Sequence, residues 1–133
     1  MNVLIVMKFF YTPRKNAKKE VFMDLFNNIQ ELILKLNNSI SLLARYGKEL
    51  SIAEKDYKIT LRQEALKLRN DDKMAVTLIN QIIYGIPAVA DKRFKRDVAE
   101  CMYQTAQENI NVLKLQLRVL ENQLQREWSN KYE

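Results

Sequence analysis

From Leu25 onward, apolar residues return every three or four positions: Leu25, Ile29, Leu32, Leu36, Ile40, Leu43, Tyr46, Leu50, Ala53, Tyr57, Leu61, Ala65 and Leu68. Most of the positions between them are polar or charged. That period puts the apolar side chains on one stripe of a helix. It predicts a helix over about 24–69, roughly 70 Å long at 1.5 Å per residue, with Asp24 placed to cap its first turn. Gly47 costs about 1 kcal/mol relative to Ala inside a helix, and Ser51 to Glu54 has capping-box spacing. These would allow a break at Gly47 and a restart at Ser51. The stripe runs through the site unbroken, which favours one continuous helix, bent there at most. "NDDK", Asn70 to Lys73, ends it. In "MAVTLINQIIYGIP" the pattern predicts a short second helix over 77–84, with Thr77 as N-cap and Gly85 closing it in the left-handed conformation. Pro87 suits the first turn of a third helix. That helix spans about 88–128, with Ala99, Met102, Ala106, Ile110, Leu113, Leu117, Leu120, Leu124 and Trp128 as its stripe.

Two long helices joined by a compact tip predict an all-α fold: a long antiparallel helical hairpin, coiled-coil-like, with a short helix at the tip. A second apolar set lies off the main stripes. It comprises Phe26, Ile33, Leu34 and Leu42 on the first helix and Val112, Leu115 and Val119 on the third. In an antiparallel hairpin both sets lie at the end opposite the tip, where they would leave a large exposed patch. The expectation is self-association through this seam, most simply a twofold dimer forming a four-helix bundle. The alternative is that the leader or the short helix covers it.

Composition narrows the chemistry. Only two Gly and two Pro occur in 133 residues, too few for the turns of a sandwich or barrel. The absence of His removes the commonest general base, the usual zinc nitrogen ligand, and the Glu-x-x-His metal sites of helical bundles. Two glycines cannot write a phosphate-binding loop. Cys101 has no internal disulfide partner, which suits a reducing compartment, and beside Met102 it reads as a buried, inert thiol. Asp71 and Asp72 read as a solvated turn rather than an acid–base pair. No catalytic residue, metal ligand or cofactor is expected, so the chain is read as non-enzymatic. "MNVLIVMKFFYTP" is too short to span a bilayer and lacks a cleavage site. The expectation is a cytoplasmic protein with no membrane partner.

The formal charge is +6, but it is unevenly placed. Residues 1–23 hold Lys8, Arg14, Lys15, Lys18 and Lys19 against Glu20, a net of +4. Residues 1–22 read as a basic disordered leader, and residues 23–133 as one helical domain. Lys19-Glu20-Val21 can be encoded AAG-GAG-GTN, which contains a bacterial ribosome-binding sequence at a normal distance from Met23. The expectation is that Met23 is the native start. The remaining basicity lies at the tip, where residues 62–97 carry a net +3. "KRFKR", Lys92 to Arg96, is its densest part. Aligned as a DNA-binding helix-turn-helix on Gly85, the tip puts Gln81 where a small residue should sit and Asp91 where an apolar one should. Two key positions fail. A looser phosphate-contacting patch of Arg69, Lys92, Arg93, Lys95 and Arg96 remains, as does an ordinary solvated helix face.

"KELSIAEKDYKITL", "MAVTLINQIIYG" and "KRDVAECMYQTAQENINVLKLQLRVLENQLQREW" resemble a group of small helical proteins encoded by phages and prophages of Gram-positive bacteria. The likeness covers roughly Ile29 to Trp128. The resemblance implies a phage accessory protein, encoded near replication and recombination genes and working in the bacterial host. It implies no activity and no functional residues. The leader departs from the group. The leading expectation is an oligomeric interaction or adaptor protein that binds a host or phage protein. Ile82, Ile83, Ile86 and Phe94 would be its hydrophobic anchors at the tip. The alternative is a nucleic-acid-binding accessory of phage replication or recombination.

Overall fold

The computed structural model describes the backbone of residues 15–132 and the side chains of 18–130. Among these residues the fold is all-α, with no strand: a long antiparallel helical hairpin with a short helix at its tip. Helix α1 is Lys15–Asn70, α2 is Val76–Ile82, a 3-10 turn covers Ile83–Gly85, and α3 is Pro87–Tyr132. The chain divides into two compact units. One is Ser39–Asn109, which holds the tip; the other comprises the described residues up to Asn38 and those from Ile110 onward.

The antiparallel pairing is visible within the tip unit. Ser39 Oγ meets the Asn109 side-chain amide at 3.3 Å, Gly47 faces the Tyr103 ring, and the Arg96 guanidinium lies over the Tyr57 ring. As positions rise along α1, their partners fall along α3. In the other unit Phe22 packs on Trp128, with ring centroids 5.8 Å apart.

The inner face of each long helix follows a strict alternation of three and four. On α3 the buried or half-buried series is Val89, Lys92, Arg96, Ala99, Tyr103, Ala106, Ile110, Leu113, Leu117, Leu120, Leu124 and Glu127. On α1 it is Phe22, Leu25, Ile29, Leu32, Leu36, Ser39, Leu43, Tyr46, Leu50, Ala53, Tyr57 and Thr60. Within each unit, a period of 3.5 residues is that of two helices packed along a seam. It corrects three members of the apolar stripe. Ile40 is 49% exposed, Met102 42% and Trp128 51%; Ser39, Tyr103 and Glu127 take their places. Each displaced residue sits where the apolar reading took two successive steps of four, which rotates a side chain off a 3.5-residue seam. Cys101, expected to be buried, is exposed; it lies between the seam positions Ala99 and Tyr103.

Helix α1 continues through Gly47. The Ser51 hydroxyl donates to the Gly47 carbonyl at 2.9 Å, so it does not start a new helix. The glycine has a packing reason: a Cβ there would lie 3.3 Å from Cε2 of Tyr103.

The tip turn departs from expectation in two places. Lys73, at φ 49°, is the one positive-φ residue among those described, and neither glycine is left-handed. The Met74 amide donates back to the Leu68 carbonyl at 3.1 Å, which closes the end of α1, and Gly85 only ends the 3-10 turn. Thr77 lies inside α2. The cap is Ala75, extended at ψ 142° and without a side-chain bond; its carbonyl accepts from the Leu78 and Ile79 amides, both at 3.0 Å. Ile86 is extended, at ψ 128°, and accepts from the Ala90 amide at 2.9 Å. Pro87 thus falls at the first helical position, where its missing N–H costs nothing.

The helices also outrun their expected ends. α1 begins at Lys15 rather than near 24, so Asp24 is interior, and α3 reaches Tyr132 rather than 128. Residues 15–22, read from sequence as disordered leader, are helical, and Phe22 continues the α1 seam upstream of Met23. The rest of that leader, residues 1–14, lies outside the described residues. Among the described residues no helix is long and apolar enough to cross a membrane.

Candidate interaction surfaces

The tip is organised by a small core. Tyr57 from α1, Ile79 from α2, Ile83 from the 3-10 turn and Val89 from α3 are buried together, flanked by Leu61, Ala65, Leu68, Met74 and Ile86. Here the α1 stripe widens, because one helix face now serves two neighbours. This core decides which proposed anchors reach the surface. Ile83 is 4% exposed and is a core residue, not a surface anchor; Ile86 is half-buried against the same cluster. Ile82 and Phe94 are exposed, but on different elements.

The basic residues do not converge on one face. Arg96 stacks over Tyr57, 4.8 Å from the ring centroid. Its Nε and Nη2 donate to Asp97 Oδ1 at 3.0 and 2.7 Å. That hydrogen bond is the main cause of its raised pKa. Arg93 lies 5.5 Å over the Tyr84 ring. The Arg69 guanidinium donates to the Met74 carbonyl at 3.0 Å and so braces the tip turn. Lys92 is half-buried on the inner seam and Lys95 is exposed. "KRFKR" therefore wraps α3, with Lys92 and Arg96 facing inward. Asp71 and Asp72 are exposed in the turn, and no group of three or more metal-ligating side chains occurs among the described residues. An open groove of about 290 Å³ runs between α1 and α2, with Lys58 and Arg62 on its rim, Leu61, Ala65, Ile79 and Ile83 as its floor, and no carboxylate.

In the other unit, Phe26, Ile33 and Leu34 on α1 and Val112, Leu115 and Val119 on α3 are all exposed. Val112, Leu115 and Val119 step by three and four, so they share one outer face of α3. The leader residues that are described do not cover this set. Leu42, the seventh seam residue, is also exposed and lies in the tip unit.

A further surface was hidden by attention to the apolar stripe. On α1, Lys48, Lys55, Arg62 and Arg69 recur every seven residues, and so do Ile52, Ile59 and Leu66. Together they alternate steps of four and three on the side of α1 away from its inner seam, and all seven are exposed. Tracking charged residues at heptad spacing would have found them.

Set against models of known protein families, curated proteins and solved structures, the chain matches none of them.

Proposed function

We propose that this chain is a non-enzymatic helical interaction protein that works as a dimer and acts by binding another protein. One observation carries the reading. Among the described residues, twenty large hydrophobic side chains are exposed and nine hydrophobic residues are buried, and some of the exposed ones share one helix face, as Ile52, Ile59 and Leu66 do on α1 and Val112, Leu115 and Val119 do on α3. Apolar side chains aligned on helix faces outside the core mark an association site. The resemblance to small phage-encoded helical proteins supports a host or phage protein as the partner.

The test is affinity capture with the full chain from nuclease-treated lysate of phage-infected cells. The expected result is a stoichiometric protein partner that survives nuclease. Recovery of nucleic acid alone from a parallel lysate left untreated, with binding that falls steeply with salt and is lost on changing Lys92, Arg93, Lys95 and Arg96 to Ala, would replace this reading with a nucleic-acid accessory.

A further inference from the structure

We infer that the outer face of α1 between Lys48 and Arg69 docks an acidic amphipathic helix of a partner protein. This rests on the reading that the chain acts by binding protein, and it adds where the partner sits and what its contacting residues are.

The surface is a second seam. Lys48, Ile52, Lys55, Ile59, Arg62, Leu66 and Arg69 repeat the four–three alternation of the inner seam, displaced to the opposite side of the helix. Successive heptads stand about 10.5 Å apart at 1.5 Å per residue. A surface with that repeat is matched, side chain for side chain, by another helix with the same repeat. Its two lines differ in chemistry. Ile52, Ile59 and Leu66 are 45, 47 and 48% exposed, so each presents an aliphatic knob to solvent. The alternate positions are all cationic.

Those cations are not neutralised within the fold. The carboxylates of the neighbourhood are taken by other bases: Glu49 by Arg45, Glu54 by Lys58 and Glu64 by Lys67. Asp56 is half-buried. No ion pair involves Lys48, Lys55 or Arg62 among the described residues. Arg69 spends its hydrogen bond on a neutral carbonyl. The complement of this face is a helix with apolar residues at one seam position and Glu or Asp at the other.

Two other occupants fit less well. A nucleic-acid backbone would pair with the cations and leave the aliphatic line uncovered, and the seam holds no aromatic residue on which bases could stack. A second copy would bring the α3 line of Val112, Leu115 and Val119, which sets aliphatic side chains, not carboxylates, against the cations.

Fluorescence anisotropy with the full chain tests this directly. The probes are a labelled four-heptad peptide carrying Leu and Glu at its two seam positions, the same peptide with Lys for Glu, and a DNA duplex. The acidic peptide should bind and the basic one should not. The double change Lys55→Glu, Arg62→Glu should weaken acidic-peptide binding by about tenfold or more and create binding to the basic peptide. Ile59→Ser should weaken acidic-peptide binding comparably. All these side chains are exposed, and far-UV circular dichroism checks that the helices persist. Failure of the acidic peptide to bind overturns the inference. So does binding that ignores Ile59→Ser and is matched by DNA, which would mark a general polyanion surface. The charge-reversed chain, used in the capture experiment, separates the two claims. A protein partner retained undiminished overturns docking on α1 and leaves the proposed function standing. No protein partner for the unaltered chain overturns the function itself.

Discussion

Gly47 stands inside a 56-residue helix where any residue but Pro would favour the helix more, and the Tyr103 ring explains it. A Cβ at 3.3 Å from Cε2 is a tight contact, so the roughly 1 kcal/mol of helix propensity gained by Ala is offset by crowding. A larger side chain must displace the Tyr103 ring. Gly47→Leu should destabilise the chain by about 1–3 kcal/mol in urea unfolding, and the loss should vanish when Tyr103→Ala is present. A cost that persists in the double variant would place the constraint on the backbone instead. Lys73 teaches the reverse lesson. Its left-handed backbone was not legible, because sequence reasoning looks for glycine at such positions and a non-glycine residue there costs about 1–2 kcal/mol. The Met74-to-Leu68 and Arg69-to-Met74 hydrogen bonds hold the turn in that conformation.

Adjacent isoleucines show how an element divides its residues. Ile82 ends α2 facing solvent and Ile83 begins the 3-10 turn facing the core. Ile83→Ala should cost about 2–5 kcal/mol, while Ile82→Ala should stay within about 0.5 kcal/mol. Thermal melts of the two variants check this, and equal losses would contradict the placement of Ile83 in the core. The existence of α1, α2 and α3 was legible because their apolar periods are long and regular. The finer seam was not. Ser39, Lys92, Arg96, Tyr103 and Glu127 sit on the inner faces although polarity or size argues against them, and counting apolar residues alone passes them over. Extending the three–four alternation outward from Ala106, Ile110 and Leu113 would have reached all the α3 positions. The outer basic line of α1 escaped for a related reason, since its charges were summed over a segment rather than placed on a face.

At the scale of the whole molecule the hairpin was legible from two long stripes and a glycine- and proline-marked tip. The dimer is a proposal whose support is the exposed set in the unit containing Phe26 and Val119. Sedimentation equilibrium at micromolar concentration should show a dimer, and Leu115→Glu with Val119→Glu should shift it to monomer without loss of helicity. A monomeric unaltered chain would remove self-association from the reading. The antiparallel pairing also ranks its contacts by the cost of closing them. Tyr57–Arg96, Gly47–Tyr103, Ser39–Asn109 and Phe22–Trp128 each close a longer loop than the pair before, and the entropy of closure grows with loop length. The tip cluster is therefore the cheapest place to begin. During synthesis all of α1 is made before any of α3, so its apolar stripe waits unpaired until Val89 completes the cluster. By loop length alone, the pairing of Phe22 with Trp128 carries the largest closure cost of the four contacts.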